Sequence, residues 1–206
     1  MKHTDNYLLQ AQQAKAHFLT YDQDALIQKL NLAHDERCLY PVMLGQTYRL
    51  DRKTGDLERR KGADWISANT FAQVLTLLDL VCDSREDRHP AGTWKNMTSF
   101  GLMFHQHLLE NARDPWAELF EARPDDFRRA CESLGGRALD TTADIAYAIE
   151  LFDGLEIALQ LWFGDEDFPA NLRTLWDENA LMYLRYETMH YARGLLLDFL
   201  KDAMDN

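Results

Sequence analysis

With 206 residues, 46% of them hydrophobic and 27% charged, the chain has the makeup of an ordinary globular protein, which excludes disordered and fibrous classes and allows one sizeable core. Its 34 acidic residues against 22 basic ones give a formal charge of -12, and a surface this acidic repels phosphate backbones, so no nucleic acid partner is expected. No run approaches the ~20 apolar residues of a membrane span, and the N-terminal Met-Lys-His-Thr-Asp-Asn-Tyr has no signal-peptide core, so no membrane partner and a cytoplasmic location are expected.

From Asp5 to Leu19, Tyr7, Ala11, Ala14 and Phe18 recur at helical intervals, which predicts an amphipathic helix with a narrow apolar stripe. Asp22 can cap a second, short helix carrying Leu26 and Leu30. Residues 1–30 therefore read as a helical segment within a single domain covering 1–206. Cys38 to Leu44 is apolar and ends at Gly45; Tyr48-Arg-Leu50 and Leu57 then flank Lys53-Thr-Gly-Asp, which predicts a strand followed by a hairpin with Gly55 at positive φ. The basic residues Arg49, Arg52, Lys53, Arg59, Arg60 and Lys61 are interrupted by Asp51, Asp56 and Glu58 and read as the solvated face of that hairpin.

Ser67 stands where a helix N-cap is expected, ahead of Phe71, Val74, Leu75, Leu78, Val81 and Cys82 at helical spacing. This is the most apolar helix of the chain, expected to pack on the sheet. Ser84 to Gly92 is charged and broken by Pro90 and Gly92, hence a loop. Trp94 to Phe100 fits either an extended segment or a turn, and Phe100, Phe104 and Leu108 suggest a helical piece ending near Asn111. Asp114-Pro115 and Arg123-Pro124 each place proline in a first helical turn, and Gly135-Gly136 closes the second of these helices.

Ile145, Tyr147, Ile149 and Leu151 alternate with smaller residues, as do Leu155, Ile157, Leu159 and Leu161 beyond Asp153-Gly154. Period two on both sides of Asp-Gly is a strong hairpin signal, and Leu172, Thr174 and Trp176 can return as a third strand. A final helix from about Thr188 presents Met189, Ala192, Leu196, Phe199, Leu200 and Ala203 on one face. Helices precede and follow a small, mainly antiparallel sheet without strict alternation, so the expected class is α+β.

Chemistry is harder to find. The three cysteines, Cys38, Cys82 and Cys131, are far apart and contain no Cys-x-x-Cys pair, which is neither a disulfide framework nor the spacing of a zinc or iron–sulfur site. Asp165, Glu166 and Asp167, with Asp177 beyond, could hold a hard cation or an acid–base pair, although Asp beside Gly and Pro commonly marks only a turn. His105 and His107 chelate together only if extended, and their neighbours favour a helix. His34 and Cys38 have helical ligand spacing but no second pair, and His190 opens the last helix. There is no Gly-x-Ser-x-Gly, P-loop, Gly-x-Gly-x-x-Gly or His-Glu-x-x-His. Trp162, Phe163, Phe168, Trp176, Tyr183 and Tyr186 lie near the acidic turn and are either core or the walls of a small-molecule pocket.

The stretch Trp162-Phe-Gly-Asp-Glu-Asp-Phe-Pro-Ala-Asn-Leu-Arg-Thr-Leu-Trp-Asp, running on to Tyr183-Leu-Arg-Tyr-Glu187, resembles the bacterial family catalogued as domain of unknown function 3786. Leu44-Gly-Gln-Thr-Tyr48, Gly92-Thr-Trp94 and Leu134-Gly-Gly136 are similar to its pattern in the same order, so the resemblance runs from about Ala25 to Leu200. It implies no catalytic residues. Some members look like fusions to an iron–sulfur segment related to corrinoid one-carbon proteins, which implies an anaerobic, cofactor-related role; this chain has no clustered cysteines for such a segment. Arg185-Tyr186-Glu187-Thr188 also stands where the family often has Pro-Thr before its final Glu-Asp.

The leading expectation is a non-catalytic cytoplasmic module that binds a small ligand or a partner protein. Trp162, Asp165, Asp167, Trp176, Asp177 and Tyr183 are expected to meet in a concave site, with no cofactor identified. The alternatives are a metal-assisted hydrolase using the same carboxylates with His105 or His107, and a structural protein that binds through exposed apolar helix surface.

Overall fold

The computed structural model describes residues 3–101 and 114–205. In chain order the elements are α1 (His3–Phe18), α2 (Gln23–Leu30), β1 (Ala33–His34), β2 (Cys38–Tyr40), β3 (Val42–Met43), β4 (Gln46–Asp51), β5 (Leu57–Lys61), β6 (Asp64–Ser67) and α3 (Phe71–Asp83). There follow β7 (Trp94–Asn96), α4 (Pro115–Ala122), α5 (Pro124–Ser133), β8 (Arg137–Ala138), β9 (Ile145–Phe152), β10 (Leu155–Trp162), β11 (Asn171–Asp177) and α6 (Tyr186–Met204). The class is α+β. Two compact units are formed, Met1–His89 with Leu181–Leu195 and Pro90–Ala180 with Leu196–Asn206. Each has its own sheet, so the N-terminal hairpin and the later meander belong to separate sheets.

In the first unit the antiparallel sheet runs β1-β2-β4-β5-β6, with β3 paired to β4. Leu44 and Gly45 both have positive φ (51° and 67°), which turns β3 directly into β4. Tyr48 and Leu50 on β4 and Leu57 on β5 point inward and are fully buried, whereas Arg49 and Glu58 pair across the other face. Gly55 has φ +72°, and a Cβ there would come 3.0 Å from the Lys15 Cβ, so the turn needs glycine for both its backbone and the close approach of α1. The Lys15 ammonium fixes that approach, donating to Asp56 at 2.7 Å and to the Asn69 carbonyl oxygen at 2.6 Å.

The helix cap falls at Thr70, not Ser67. The Asn69 side chain exchanges hydrogen bonds with both backbone groups of Leu57, which keeps the chain extended past Ser67, and Ser67 itself pairs with Glu58 as the end of β6. Thr70 then accepts from the Gln73 amide as an N-cap and donates its hydroxyl to the Gln73 side-chain oxygen. At its other end α3 is closed by Lys29, whose ammonium donates to the carbonyl oxygens of Cys82 and Ser84 at 2.9 Å each. α3 lies against α1, with Tyr7 on Phe71 and Phe71 on Tyr191 at ring separations of 4.7 and 5.0 Å. His34 and Cys38, helically spaced in the sequence, lie on the paired strands β1 and β2, where His34 opposes Leu39.

The second unit is the meander. Its sheet runs β7-β11-β10-β9-β8, all antiparallel. Asp153 and Gly154 take positive φ (48° and 83°) in the predicted turn. One face lines up Tyr147, Leu159 and Thr174, then Ile149, Ile157 and Trp176; the other aligns the small Ala148 and Ala158. Ala158 is also opposed by Leu175, and β9 is buried along its whole length except at Glu150, so both faces of the sheet are covered there. α4 packs on β10 and β11, α5 packs on β9, and the two helices join through Phe120 stacked on Phe127 at 4.3 Å. Asp114 caps α4, both prolines sit in first turns, and Gly135 with φ +78° ends α5. The ambiguous stretch from Trp94 resolves into β7, paired with β11, and a 3-10 turn over Met97–Phe100; the helix suggested by Phe104 and Leu108 lies outside the described residues.

Candidate functional site

The residues gathered by sequence reasoning are distributed as follows. Trp162 ends β10 opposite Asn171, half-buried, with the Arg173 guanidinium 5.0 Å above its ring. Asp165 and Asp167 are exposed in the connection to β11, and Asp165 accepts from the amides of Asp167 and Phe168 at 2.9 and 2.8 Å, a turn-forming arrangement. Those two amide bonds hold the Asp165 carboxyl below the usual carboxylate range.

Trp176 and Asp177 sit about 17 Å along the strand from that turn, at the opposite end of the β10–β11 hairpin. Trp176 is fully buried over Ile157. The Asp177 carboxylate is buried too and holds three backbone amides: Ala91 at 2.9 Å and Asn179 at 2.8 Å on one oxygen, Gly92 at 2.8 Å on the other. Asp177 therefore clasps two loops. Tyr183, also buried, belongs to the first unit, in the segment that leads into α6. Nearness in sequence across a hairpin thus becomes distance in space for the two tryptophans. His105 and His107 lie outside the described residues, and His190 is exposed with its ring edge-on to Tyr186. Among the described residues, no three His, Cys, Asp or Glu side chains gather as metal ligands would.

The first unit contains a cleft of about 480 Å³ built from three separate segments. α1 supplies Gln10, Gln13, Ala14 and His17; α3 supplies Leu75, Leu78, Asp79, Cys82 and Asp83; the start of α6 supplies Arg185, Glu187, Thr188 and Tyr191. The α3 residues recur at helical spacing and so form one face, apolar toward its N-terminal end and acidic toward its C-terminal end.

At the acidic end a network closes around Arg185. Its backbone amide donates to Asp79 Oδ2 and its Nε to Asp79 Oδ1, both at 2.9 Å, while its Nη2 lies 3.0 Å from Asp83 Oδ2. Tyr21 donates its hydroxyl to Asp83 Oδ1 at 2.6 Å and meets His17 Nε2 at 3.3 Å. The Asp79 side chain is 1% exposed and that of Arg185 66%, so a buried carboxylate is served by a guanidinium whose outer end faces the cleft. Burial raises the Asp79 pKa, and the neighbouring Asp83 adds to the rise, against the bonds from Thr188 and Arg185. Burial also raises the Tyr21 phenol, helped by its bond to Asp83, and pushes the Cys82 thiol up to about 12, which leaves that sulfur protonated and unreactive.

None of these positions was singled out as a site from the sequence. The available signal was Asp79, a carboxylate one turn ahead of Asp83 inside the most apolar helix, where an unpaired charge is too costly to remain without a partner.

The family described as Domain of unknown function (DUF3786) matches residues 22–198, and the chain belongs to it. Over 107 residues, 52% of this chain, it is also 26% identical to a protein named Thermostable carboxypeptidase 1 from Thermus thermophilus. That alignment covers 21% of the carboxypeptidase's length. No solved structure matches the chain.

Proposed function

We propose that this member of the domain of unknown function 3786 family is a non-catalytic module that binds a small ligand in the cleft formed by α1, α3 and the start of α6. The observation that carries this reading is the cleft itself. Its ~480 Å³ falls in the range of small-molecule sites, and its walls combine an apolar floor of Ala14, Leu75, Leu78 and Tyr191 with a few polar groups at one end. Its groups are arranged for recognition more than for attack: the Cys82 thiol is kept protonated by burial, and the Asp79 and Asp83 carboxylates are engaged with Arg185 and Tyr21. A cytoplasmic setting is part of the proposal, supported by three buried cysteines that are all unpaired. No described helix is long and apolar enough to cross a membrane.

A second reading, metal-assisted hydrolysis on paired carboxylates, draws its support from the partial likeness to a carboxypeptidase and from Asp79 and Asp83 lying on one helix face. A thermal-shift screen of the purified, metal-free chain against small polar organic molecules and divalent cations separates the two, because specific binding to the native state raises the midpoint by mass action. The binding reading expects an organic compound to raise the midpoint in the wild type and not in Ala14→Trp, whose larger side chain fills the cleft. Stabilisation by a divalent cation that disappears in Asp83→Asn, with no response to organic compounds, would replace it with the hydrolase reading.

A further inference from the structure

Within the cleft, the bonding capacity of the polar end is unevenly spent. Asp79 Oδ1 accepts from Arg185 Nε, Asp79 Oδ2 from the Arg185 amide, and Asp83 Oδ1 from Tyr21, while Asp83 Oδ2 faces Arg185 Nη2. Every oxygen of the inner carboxylates already has a donor. The guanidinium, by contrast, carries five N–H groups in a fixed fork, and its Nη1 has no partner among the described residues. The two carboxylates hold Arg185 from behind, on its Nε and Nη2 atoms, so the remaining terminal N–H groups are fixed in direction although the side chain is 66% exposed. An oriented guanidinium loses less freedom on bonding than a free one, which is the ordinary route to selectivity in a small site.

The charge around it narrows the ligand further. The cleft holds Asp79, Asp83 and Glu187 against Arg185, with His17, Cys82 and Tyr191 also in its walls and Tyr21 on Asp83, so a full anion would meet an excess of negative charge. An ammonium group at the inner wall would have to share the oxygens of Asp79 and Asp83 with the donors of Arg185 and Tyr21 that already hold them. An uncharged acceptor avoids both costs. Resting on the cleft as the ligand site, we propose that it recognises a neutral small molecule presenting a carbonyl oxygen of the carboxamide or peptide type, bonded by the free terminal N–H groups of Arg185, with its apolar body on Leu75, Leu78 and Tyr191.

Three probes of one skeleton test this on the full chain: phenylacetamide, phenylacetate and phenethylamine, titrated by amide-resolved NMR. The expected order is carboxamide tightest, with the amine weakest by about tenfold, the value of one good hydrogen bond. Arg185→Lys keeps the positive charge and a bond to Asp79 but has no second terminal nitrogen. It is expected to remain folded, to bind phenylacetamide about tenfold more weakly and to lose the preference over the amine. If the amine binds tightest, or if Arg185→Lys leaves carboxamide binding unchanged while Ala14→Trp abolishes it, the carbonyl assignment is overturned and the cleft stands. If no probe perturbs the resonances of Gln13, Leu75 or Tyr191, both the assignment and the cleft reading are overturned.

Discussion

Asp177 and Asp79 are both buried carboxylates, 3% and 2% exposed, and both hold several donors, yet they do opposite things. Asp177 is satisfied wholly by backbone amides from loops near it, so its bonds fix the chain and leave nothing to present. Asp79 accepts from the backbone amide of Arg185 as well, but its other oxygen takes the Arg185 guanidinium, from a segment 106 residues away, and that side chain ends in a cleft. A buried acid therefore marks a site only when its partner is itself partly exposed. When the partners are backbone amides alone, it marks a turn.

The sharpest way to break this comparison is at Asp177. Asp177→Ala leaves the amides of Ala91, Gly92 and Asn179 without their acceptor, and a loss of about 3 kcal/mol is expected, read as a lower urea midpoint with an unchanged slope. A loss below about 1 kcal/mol would show that water serves these amides as well as the carboxylate does. Asp79→Ala should cost less, about 2 kcal/mol, because one of the donors it abandons, the Arg185 guanidinium, is exposed enough to rehydrate. Equal losses at the two positions would remove the distinction drawn here.

A pH series sharpens it further. Burial raises the folded-state pKa of Asp79 above the ordinary value of 3.8, so the folded chain takes up this proton before the unfolded one. As pH falls through the folded pKa the wild type should gain stability relative to Asp79→Asn, the gain being complete below the unfolded pKa and lost again as pH rises. Urea midpoints of the two proteins between about pH 4 and pH 8 give the difference, and a flat difference contradicts the shift. At the small end, Phe168 is 71% exposed, and Phe168→Ser should change stability by less than about 0.5 kcal/mol. A larger loss would mean that the loop after β10 is packed in a way its exposure conceals.

The same contrast explains what was legible in the sequence. The meander was, because alternation about Asp153-Gly154 is a local pattern and the pairing of Ile157 with Ile149 follows from the turn. The helices at Asp22, Asp114 and Pro124 were legible for the same reason, each carrying its own start signal. The cap at Thr70 was missed because Asn69 bonds back to Leu57, a contact twelve residues away that no local rule sees. The cleft was out of reach for a similar reason: Ala14, Leu75 and Tyr191 meet through packing of segments far apart in the chain. What the sequence did contain was one anomaly, an Asp among Leu77, Leu78, Leu80 and Val81. A cluster of aromatic and acidic residues around Trp162 looked richer, but there the hairpin carries Trp176 and Asp177 to its far end.

The buried thiols give the molecule its own stopwatch. Cys38 and Cys82 lie in the first unit and Cys131 in the second, and all three are hidden from reagents while their surroundings hold. Each can be alkylated only when its own neighbourhood opens, so the labelling rate at each sulfur reports the opening free energy of that neighbourhood separately. Because Cys82 also lines the cleft, occupation of the cleft should slow its labelling and leave that of Cys131 untouched, so ligand occupancy can be read from the chemistry of one sulfur against another.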